Sequence, residues 1–235
     1  MNLTYDSPMN LDRVAFFGRT LKEYTRFFDL NLNDLKGRSV LDCPGGASSF
    51  AAEAKRHNIH VTAVDPQYAN SPTALYAKGC ADLDLVMDKV SRAQDLFVWK
   101  YYPTVDALRT QRTVAWEGFC ADFQARRSAG RYLGAALPHL PFANNSFDVA
   151  LSGHFLFLYG NLFSYEFHVA ALRELVRVSR EEVRVYPLQG LDAAPYPDLD
   201  HLRIELAISG IRSAVRRVSF EFQRGSSQVL VLRKG

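Results

Sequence analysis

Apolar and polar residues follow the most regular pattern in residues 39–65, where they predict a strand, a turn, a helix and a second strand. The short apolar run that ends at Cys43 is typical of a strand buried on both faces. Pro44-Gly45-Gly46 ends this strand. Helical spacing in 47–57 predicts a helix that begins at the glycines, with Ser48 or Ser49 as its cap. The β-branched residues before Asp65 predict a second strand, parallel to the first.

Similar patterns continue in the second half of the chain. They predict strands at 131–137, 146–152 and 182–186 and helices at 164–179 and 198–209. Val218, Phe220 and Phe222 alternate with polar residues, and a possible turn separates them from the apolar run 228–232. This end of the chain is therefore predicted to be a β-hairpin.

Two regions show helical rather than strand-like spacing. Residues 1–37 are predicted to be an N-terminal helical segment packed on the domain, with a helix that starts near Asn10 or Asp12 and ends before Gly37. Residues 73–130 carry two or three helical patterns that are rich in aromatic residues. We expect them to form an insertion at about 70–129. Because it follows the second strand on the ligand side of the sheet, we expect it to cover a ligand as a cap.

The composition argues against some classes of function but does not indicate one. The chain has 235 residues and a formal net charge of +3, which gives no strong electrostatic case for nucleic acid. Its three cysteines have neither metal-ligand spacing nor an even-numbered disulfide framework, so they predict no metal site and fit a reducing cytoplasm. No apolar run reaches the roughly 18 residues of a membrane span, and no export signal is predicted.

The predicted turn and second strand place an accessible glycine backbone and a carboxylate close together. Glycines at 45 and 46 have no Cβ, so a ligand can lie against the backbone, and a helix N-terminus there would offer free N–H groups. The carboxylate of Asp65 is expected across from the turn, where it can accept hydrogen bonds from a ribose diol. This arrangement indicates a nucleoside-bearing cofactor. The alternative is a plain βαβ unit in which the glycines serve only the turn.

These segments together resemble the class I S-adenosylmethionine-dependent methyltransferases, from Ser39 to the C-terminus. The first motif of that family corresponds to Val40-Leu41-Asp42 with Gly45-Gly46, and the second to Val61 through Asp65. The most specific match is 140–150, which is similar to the loop and fourth strand of the family, and 172–178 is similar to the helix before the fifth strand. The glycine spacing is not the G-x-G-x-x-G of dinucleotide-binding domains, which weighs against NAD.

The resemblance implies an α/β fold over residues 38–235. Its mostly parallel seven-stranded sheet would have helices on both faces, a helical insertion after the second strand and a C-terminal antiparallel β-hairpin. The implied cofactor is S-adenosylmethionine. By the same resemblance, the residues expected to bind it are Asp42, Cys43, Pro44, Gly45, Gly46, Asp65, Pro66, His139, Ser152 and Gly153.

The sequence departs from the family pattern in two places. Relatives read D-x-G-x-G-x-G in the first motif, whereas this chain has Pro44 at the first glycine position and Ser48 at the last. Proline removes a backbone donor there. Relatives also carry an Asp before the Leu-Pro-Phe stretch that accepts from the adenine amine. This chain has none, so a backbone carbonyl or the side chain of His139 would have to replace it.

The methyl acceptor is not identified by any motif. His154 follows the fourth strand and is the candidate general base, although a histidine beside Phe155-Leu156-Phe157 can instead be structural. The aromatic insertion favours a small, partly apolar acceptor, for which the candidate cap residues are Arg19, Tyr24, Trp99, Tyr102, Trp116 and Tyr159. Arginines in the C-terminal part keep an RNA methyltransferase as one alternative, and a non-catalytic binding protein is another.

Overall fold

The structure is a computed structural model that describes residues 8–235, apart from the side chain of Ser128. Residues 1–7 of the predicted N-terminal segment lie outside the described residues. The strands are β1 (Ser39–Asp42), β2 (His60–Val64), β3 (Tyr132–Leu133), β4 (Phe147–Gly153), β5 (Ser179–Tyr186), β6 (Ile211–Arg217) and β7 (Gln228–Lys234). The α-helices are α1 (Leu21–Phe27), α2 (Leu32–Leu35), α3 (Phe50–Ala54), α4 (Pro72–Arg92), α5 (Val105–Arg126), α6 (Tyr165–Val178) and α7 (Leu199–Ile208).

The seven strands form one sheet in the order β3-β2-β1-β4-β5-β7-β6. β1 pairs in parallel with both β2 and β4, so that Val40 lies between Val61 and Val149. β7 is antiparallel to β5 and to β6, and it lies between them. A mostly parallel sheet that ends in an antiparallel hairpin is the fold class implied by the resemblance to class I methyltransferases, and this prediction is confirmed.

Each face of the sheet is covered by its own set of helices. Val149 and Leu151 of β4 pack in one core with residues of α1, α3, α4 and α5, whereas Ala150 packs in a second core with residues of α6 and α7. Side chains alternate between the faces because successive residues of a strand point in opposite directions. The loops at the carboxyl ends of β1, β2 and β4 therefore lie between these two layers.

The predicted insertion after β2 consists mainly of two long helices. α4 begins after Ser71, whose hydroxyl accepts from the backbone N–H of Ala74, and Thr104 caps α5 in the same way. The connection between the two helices pairs with the loop between β6 and β7, because the N–H of Val98 donates to the carbonyl of Phe222. The helical insertion is thus confirmed. Among the described residues, no helix is long and apolar enough to cross a membrane.

The predicted N-terminal helix is wrong for residues 10–20. Residues 8–20, here called the strap, form neither helix nor strand, and within residues 8–37 only Leu21–Phe27 and Leu32–Leu35 are α-helical. Distant side chains bind the strap backbone in place of helical hydrogen bonds. The N–H of Phe16 donates to Asp82, that of Ala15 to the hydroxyl of Tyr159 and that of Arg19 to Ser48. α1 begins only at the capping box of Thr20 and Glu23.

Three further boundaries differ from those predicted. The helix expected at 47–57 begins at Phe50, and neither serine caps it: Ser48 accepts from the strap, and Ser49 donates to Glu53. The third strand is limited to Tyr132–Leu133, because residues 134–137 leave the sheet. The first hairpin strand lies at Ile211–Arg217 rather than at 218–222. Phe220 and Phe222 instead pack against aromatic residues of the 93–104 connection.

Candidate functional site

Three adjoining cavities lie where β1, β2 and β4 end. The strand-edge cavity (≈ 230 Å³) is lined by residues that follow β1 and β2 and by Ala135–Leu137. The glycine-turn cavity (≈ 50 Å³) lies against Pro44, Gly45 and Gly46, and the cap cavity (≈ 80 Å³) lies beneath α4 and α5. The first two share Val14, Ala15, Pro44 and Asp65. The glycine-turn and cap cavities share Phe17, Arg19, His154, Leu158 and Tyr159.

Asp65 is the acidic group of the strand-edge cavity. Its Oδ1 accepts from the N–H of Gln67 at 2.9 Å, and its Oδ2 accepts from the N–H of Gly46 at 3.1 Å. Burial raises the pKa of Asp65 to about 6, although these two hydrogen bonds oppose the rise. A carboxylate offers about four acceptor positions, so two remain for a ligand. Around it, Val64, Leu137, Phe155, Phe163 and Phe167 make the cavity wall largely apolar.

The strap lies directly over the glycine turn. Gly46 has a φ of +55°, and a Cβ built on it would stand 2.9 Å from the carbonyl oxygen of Phe17. A Cβ on Gly18 would stand 2.0 Å from the carbonyl oxygen of Ala47. Backbone thus approaches backbone at both positions, which only glycine permits. The strap therefore forms one wall of the narrow glycine-turn cavity.

Several N–H groups of the turn, which the sequence led us to expect free, are bound within the chain. The N–H of Gly46 is bound by Asp65, that of Gly45 by the carbonyl of Val64, and that of Ser49 by the carbonyl of Arg19. α3 has only five residues, and its first turn follows these engaged donors. These three N–H groups are therefore not free for a ligand, and the cationic group near the turn is the side chain of Arg19.

Asp42 lies behind the turn rather than in a cavity. Its carboxylate is almost fully buried and accepts from the hydroxyl of Tyr24 at 3.0 Å. Burial raises the pKa of Asp42 well above its usual range. The ring of Tyr24 stacks on Phe50 at a centroid distance of 4.2 Å, and Tyr24 also lines the glycine-turn cavity. Asp42 thus holds Tyr24 in place, and Tyr24 forms the floor of the glycine-turn cavity.

The cap cavity contains two arginines with different surroundings. Arg112 of α5 donates to the carboxylate of Glu23 and to the hydroxyl of Tyr102, and all three side chains are buried. Arg19 has no carboxylate partner among the described residues. Burial, followed by repulsion from Arg112, lowers the pKa of Arg19 to about 10, so the guanidinium remains cationic at neutral pH.

His154 lies where the glycine-turn and cap cavities meet. Its backbone N–H donates to the carbonyl of Tyr186 at 2.6 Å, and its φ is +53°. The ring makes edge contacts with Phe27 and Tyr186, and within residues 8–235 neither ring nitrogen has a hydrogen-bond partner. Burial, with repulsion from Arg19 and Arg112, lowers the pKa of His154 well below its usual value. The imidazole is therefore neutral at physiological pH, with a ring nitrogen free to accept a hydrogen bond.

The cavities bring together most of the residues predicted to bind a cofactor. Cys43, Pro44, Asp65 and Pro66 line the strand-edge cavity, and Gly45, Gly46 and Gly153 line the glycine-turn cavity. Ser152 is fully buried and lines none of the three cavities. His139 is exposed and does not line them either, because residues 136 and 139 pair across a turn that carries its side chain outwards. Ala135–Leu137 line the cavity instead.

The predicted cap residues divide in the same way. Arg19, Tyr24 and Tyr159 line cavities. Trp99 donates to the carbonyl of Gln94 and packs on Phe222, whereas Trp116 packs between Phe16 and Phe119. Tyr102 is bound to Glu23 and Arg112, behind the cavity wall. These three aromatic residues hold the cap on the domain.

Sequence reasoning missed two residues of the cap cavity. The guanidinium carbons of Arg19 and Arg112 stand 5.3 and 5.5 Å from the centroid of the Phe17 ring. Arg112 meets Glu23 although 89 residues separate them along the chain. The local sequence signal for Arg112 is a charged residue at an apolar position of α5. This signal does not identify Glu23 as its partner.

A search against curated proteins found a relative over nearly the whole chain. The chain is 32% identical to the uncharacterized protein MJ0045 of Methanocaldococcus jannaschii over 228 residues, which is 96% of this chain and 99% of that protein. The chain belongs to the MJ0045 family. No model of a known protein family matches it. Membership in the MJ0045 family does not by itself carry an activity.

A comparison with solved structures found chains of similar fold, among them two methyltransferases. The magnesium protoporphyrin IX methyltransferase of Synechocystis PCC 6803 with bound SAM is 13% identical, with a TM-score of 0.47 over 86% of this chain and 73% of that chain. The 1,6-didemethyltoxoflavin-N1-methyltransferase of Burkholderia thailandensis is 15% identical, with a TM-score of 0.46 over 86% of this chain and 76% of that chain.

Proposed function

We propose that this protein transfers a methyl group from S-adenosylmethionine to a small molecule bound in the cap cavity. The observation that carries the proposal is the meeting of two cavities at His154. One of them continues past Asp65 into the strand-edge cavity, and the other lies beneath the cap. A nucleoside-bearing donor in the first and an acceptor in the second would meet at this junction, as an in-line transfer requires.

The residues of the strand-edge cavity fit the nucleoside part of the cofactor. The two free acceptor positions of Asp65 suit the two hydroxyls of a ribose. The apolar wall that includes Ala136 and Phe163 suits a flat purine, and backbone groups of 135–137 would replace the acid that relatives use. Gly45 and Gly46 would lie along the methionine part. When bound, S-adenosylmethionine supplies a methyl group on a positively charged sulfur, which is an electrophile.

His154 is proposed to accept the proton of the acceptor. The acceptor heteroatom would form the new bond to the methyl carbon while the carbon–sulfur bond breaks, and S-adenosylhomocysteine leaves with the sulfur electron pair. The proton released from the acceptor would pass to the neutral imidazole of His154. Tyr159, whose hydroxyl accepts from the N–H of Ala15, holds the strap beside this junction.

Calorimetric titration with S-adenosylmethionine and S-adenosylhomocysteine tests the cofactor. We expect both to bind, and we expect Asp65→Ala to weaken binding by roughly 1 to 3 kcal/mol, since it removes hydrogen bonds to the ribose hydroxyls. Asp148→Ala is the matched control. Asp148 accepts from Ser39 and Arg180 at the opposite edge of the sheet, so its loss should leave cofactor affinity unchanged. Absence of binding to the folded wild-type protein would refute the proposal.

One observation favours a second function, that of a non-catalytic binding protein. The strap covers the glycine turn, and the N–H groups of Gly45, Gly46 and Ser49 are already engaged. Such a protein binds a cofactor or a partner protein without transferring a methyl group, and absence of S-adenosylmethionine binding in the same titration would favour it over the enzyme.

The structure gives less support to an RNA acceptor. Arg203, Arg212, Arg224 and Arg233 are bound to other groups of the chain, and of the C-terminal arginines considered for RNA only Arg216 and Arg217 have no hydrogen bond or ion pair among the described residues. A salt-dependent shift with bulk tRNA would revive that alternative.

A further inference from the structure

The cap cavity combines an apolar wall with an uncompensated positive charge. Val86 and Val90 of α4, Leu108 of α5 and the rings of Phe97, Phe220 and Phe222 form most of the wall. No carboxylate is among its lining residues, although two guanidinium groups are. A ligand that fits this wall must be mainly apolar, and its polar group must suit a cation.

Only one of the two arginines is available to a ligand. Glu23 neutralises Arg112 and accepts as well from Tyr102 and from both the N–H and the hydroxyl of Thr20, which fills its four acceptor positions. It has no further capacity for Arg19, whose guanidinium donates only a marginal 3.5 Å hydrogen bond to the carbonyl of Gly18. A cation held in an apolar cavity without a partner is costly, and an anionic ligand group would relieve this cost.

The side chains of Arg19 and Arg112 both contact the ring of Phe17. Both guanidinium groups stand over the Phe17 ring, and Phe17 and Arg19 line the cap cavity as well as the glycine-turn cavity. His154, beside them, is kept uncharged and does not compete for an anion. The unpaired charge of Arg19 is therefore presented to the acceptor side of the junction.

We propose that the acceptor is a small aromatic carboxylate whose acid group pairs with Arg19 and whose ring lies against the apolar wall of the cap cavity. That the bound carboxylate is a methyl acceptor rests on the proposed function. Its binding in the cap cavity does not require the cofactor. An Arg–carboxylate pair in an apolar surrounding is a strong, oriented interaction. The apolar wall beside a single free guanidinium suits one ring that carries one acid group.

The probes for this site are 4-fluorobenzoate and 4-fluorobenzamide, which share shape but differ in charge. Fluorine NMR of each probe with the wild-type protein should show that the benzoate binds about tenfold more tightly or better. Arg19→Gln should remove this preference while leaving benzamide affinity within about twofold. Arg19→Lys should retain part of it, and Arg216→Gln, which removes an exposed arginine of β6, should change nothing.

Two further measurements locate the site. Val90→Phe places a larger side chain in the cap cavity wall and should reduce the affinity of both probes, whereas unchanged binding would show that they bind elsewhere and overturn the inference. Because Arg19 also lines the glycine-turn cavity, Arg19→Gln is titrated with S-adenosylmethionine as well, and benzoate selectivity should be lost by a larger factor than cofactor affinity. Loss of cofactor affinity together with unchanged benzoate binding would assign Arg19 to the cofactor carboxylate and also overturn the inference. Benzoate selectivity without any cofactor binding in the wild type would refute only the proposed methyl transfer.

Discussion

At the scale of single residues, Asp65 determines how ligand binding responds to pH. Its pKa is raised to about 6, so the carboxylate becomes protonated in mildly acidic solution. A protonated carboxyl has lost acceptor positions that the ribose hydroxyls need. Affinity for a nucleoside should therefore fall as the pH decreases through about 6, and it should be constant above about pH 7.5.

The measurement uses 5′-methylthioadenosine, which has no group of its own that titrates in this range. Its affinity for the wild-type protein should be up to about tenfold lower near pH 5 than near pH 8. Asp65→Asn should bind more weakly and show no such dependence. A wild-type affinity that does not change across this range would contradict the placement of the ribose at Asp65.

The sequence was sufficient to predict the relative positions of site residues that belong to one continuous segment. Gly45, Gly46 and Asp65 lie in a single βαβ segment, where fixed spacing decides their geometry. It was insufficient where side chains meet from distant parts of the chain, as Glu23 and Arg112 do. His139 lies close in sequence to Ala135–Leu137, but a turn reverses the chain direction between them and carries the histidine away.

At the scale of elements, Asp82 of α4 fixes the strap. Its buried carboxylate accepts from the N–H of Phe16 at 2.7 Å, pairs with Lys78 at 3.2 Å and also pairs with Arg13. Asp82→Asn should release the strap and lower the free energy of unfolding by about 1 to 3 kcal/mol. Trypsin should then cleave after Arg13 and Arg19 faster than in the wild type, as followed by mass spectrometry.

Asp84→Asn provides the control for this prediction. Asp84 lies two residues further along α4 and forms an exposed ion pair with Arg109, so its replacement should change the unfolding free energy by less than about 1 kcal/mol. Equal rates of trypsin cleavage in all three proteins would mean that Asp82 does not hold the strap.

Elements with strong periodicity were predicted well, and elements held by distant partners were not. The pattern of α6 alone identifies it, because Leu172, Leu175 and Val176 face the core and Ser164 caps the helix. The strap has helix-like spacing, yet its backbone is bound by Asp82, Tyr159 and Ser48. Phe220 and Phe222 alternate as in a strand, yet they pack on the cap instead. Tertiary contacts decided both cases against the local pattern.

At the scale of the whole molecule, the pair of Glu23 and Arg112 joins the N-terminal segment to the cap. Glu23→Gln leaves the buried side chain of Arg112 without its carboxylate partner. This should lower the free energy of unfolding by about 3 to 5 kcal/mol, as measured by denaturation in guanidinium chloride. Arg112 and Arg19 hold the pKa of Glu23 below its usual range despite burial. The stabilisation should therefore be complete above a pH of about 4.3 and decrease as the pH falls through the lower pKa of the folded state.

The exposed ion pair of Glu181 and Arg38 serves as the comparison. Glu181→Gln should cost less than about 1 kcal/mol, because water screens an exposed pair. If Glu23→Gln had an equally small effect, the N-terminal segment and the cap would be joined by their apolar contacts alone.

The close approach of Gly18 to Ala47 also restricts how this protein can vary in evolution. A side chain at position 18 would collide with the main chain of the turn, so no compensating change of another side chain can make room for it. Homologous chains that keep this path for the strap should therefore retain glycine here, even where the neighbouring positions change freely. A homologue with a larger residue at this position should carry its N-terminal segment along a different route and leave the glycine turn open.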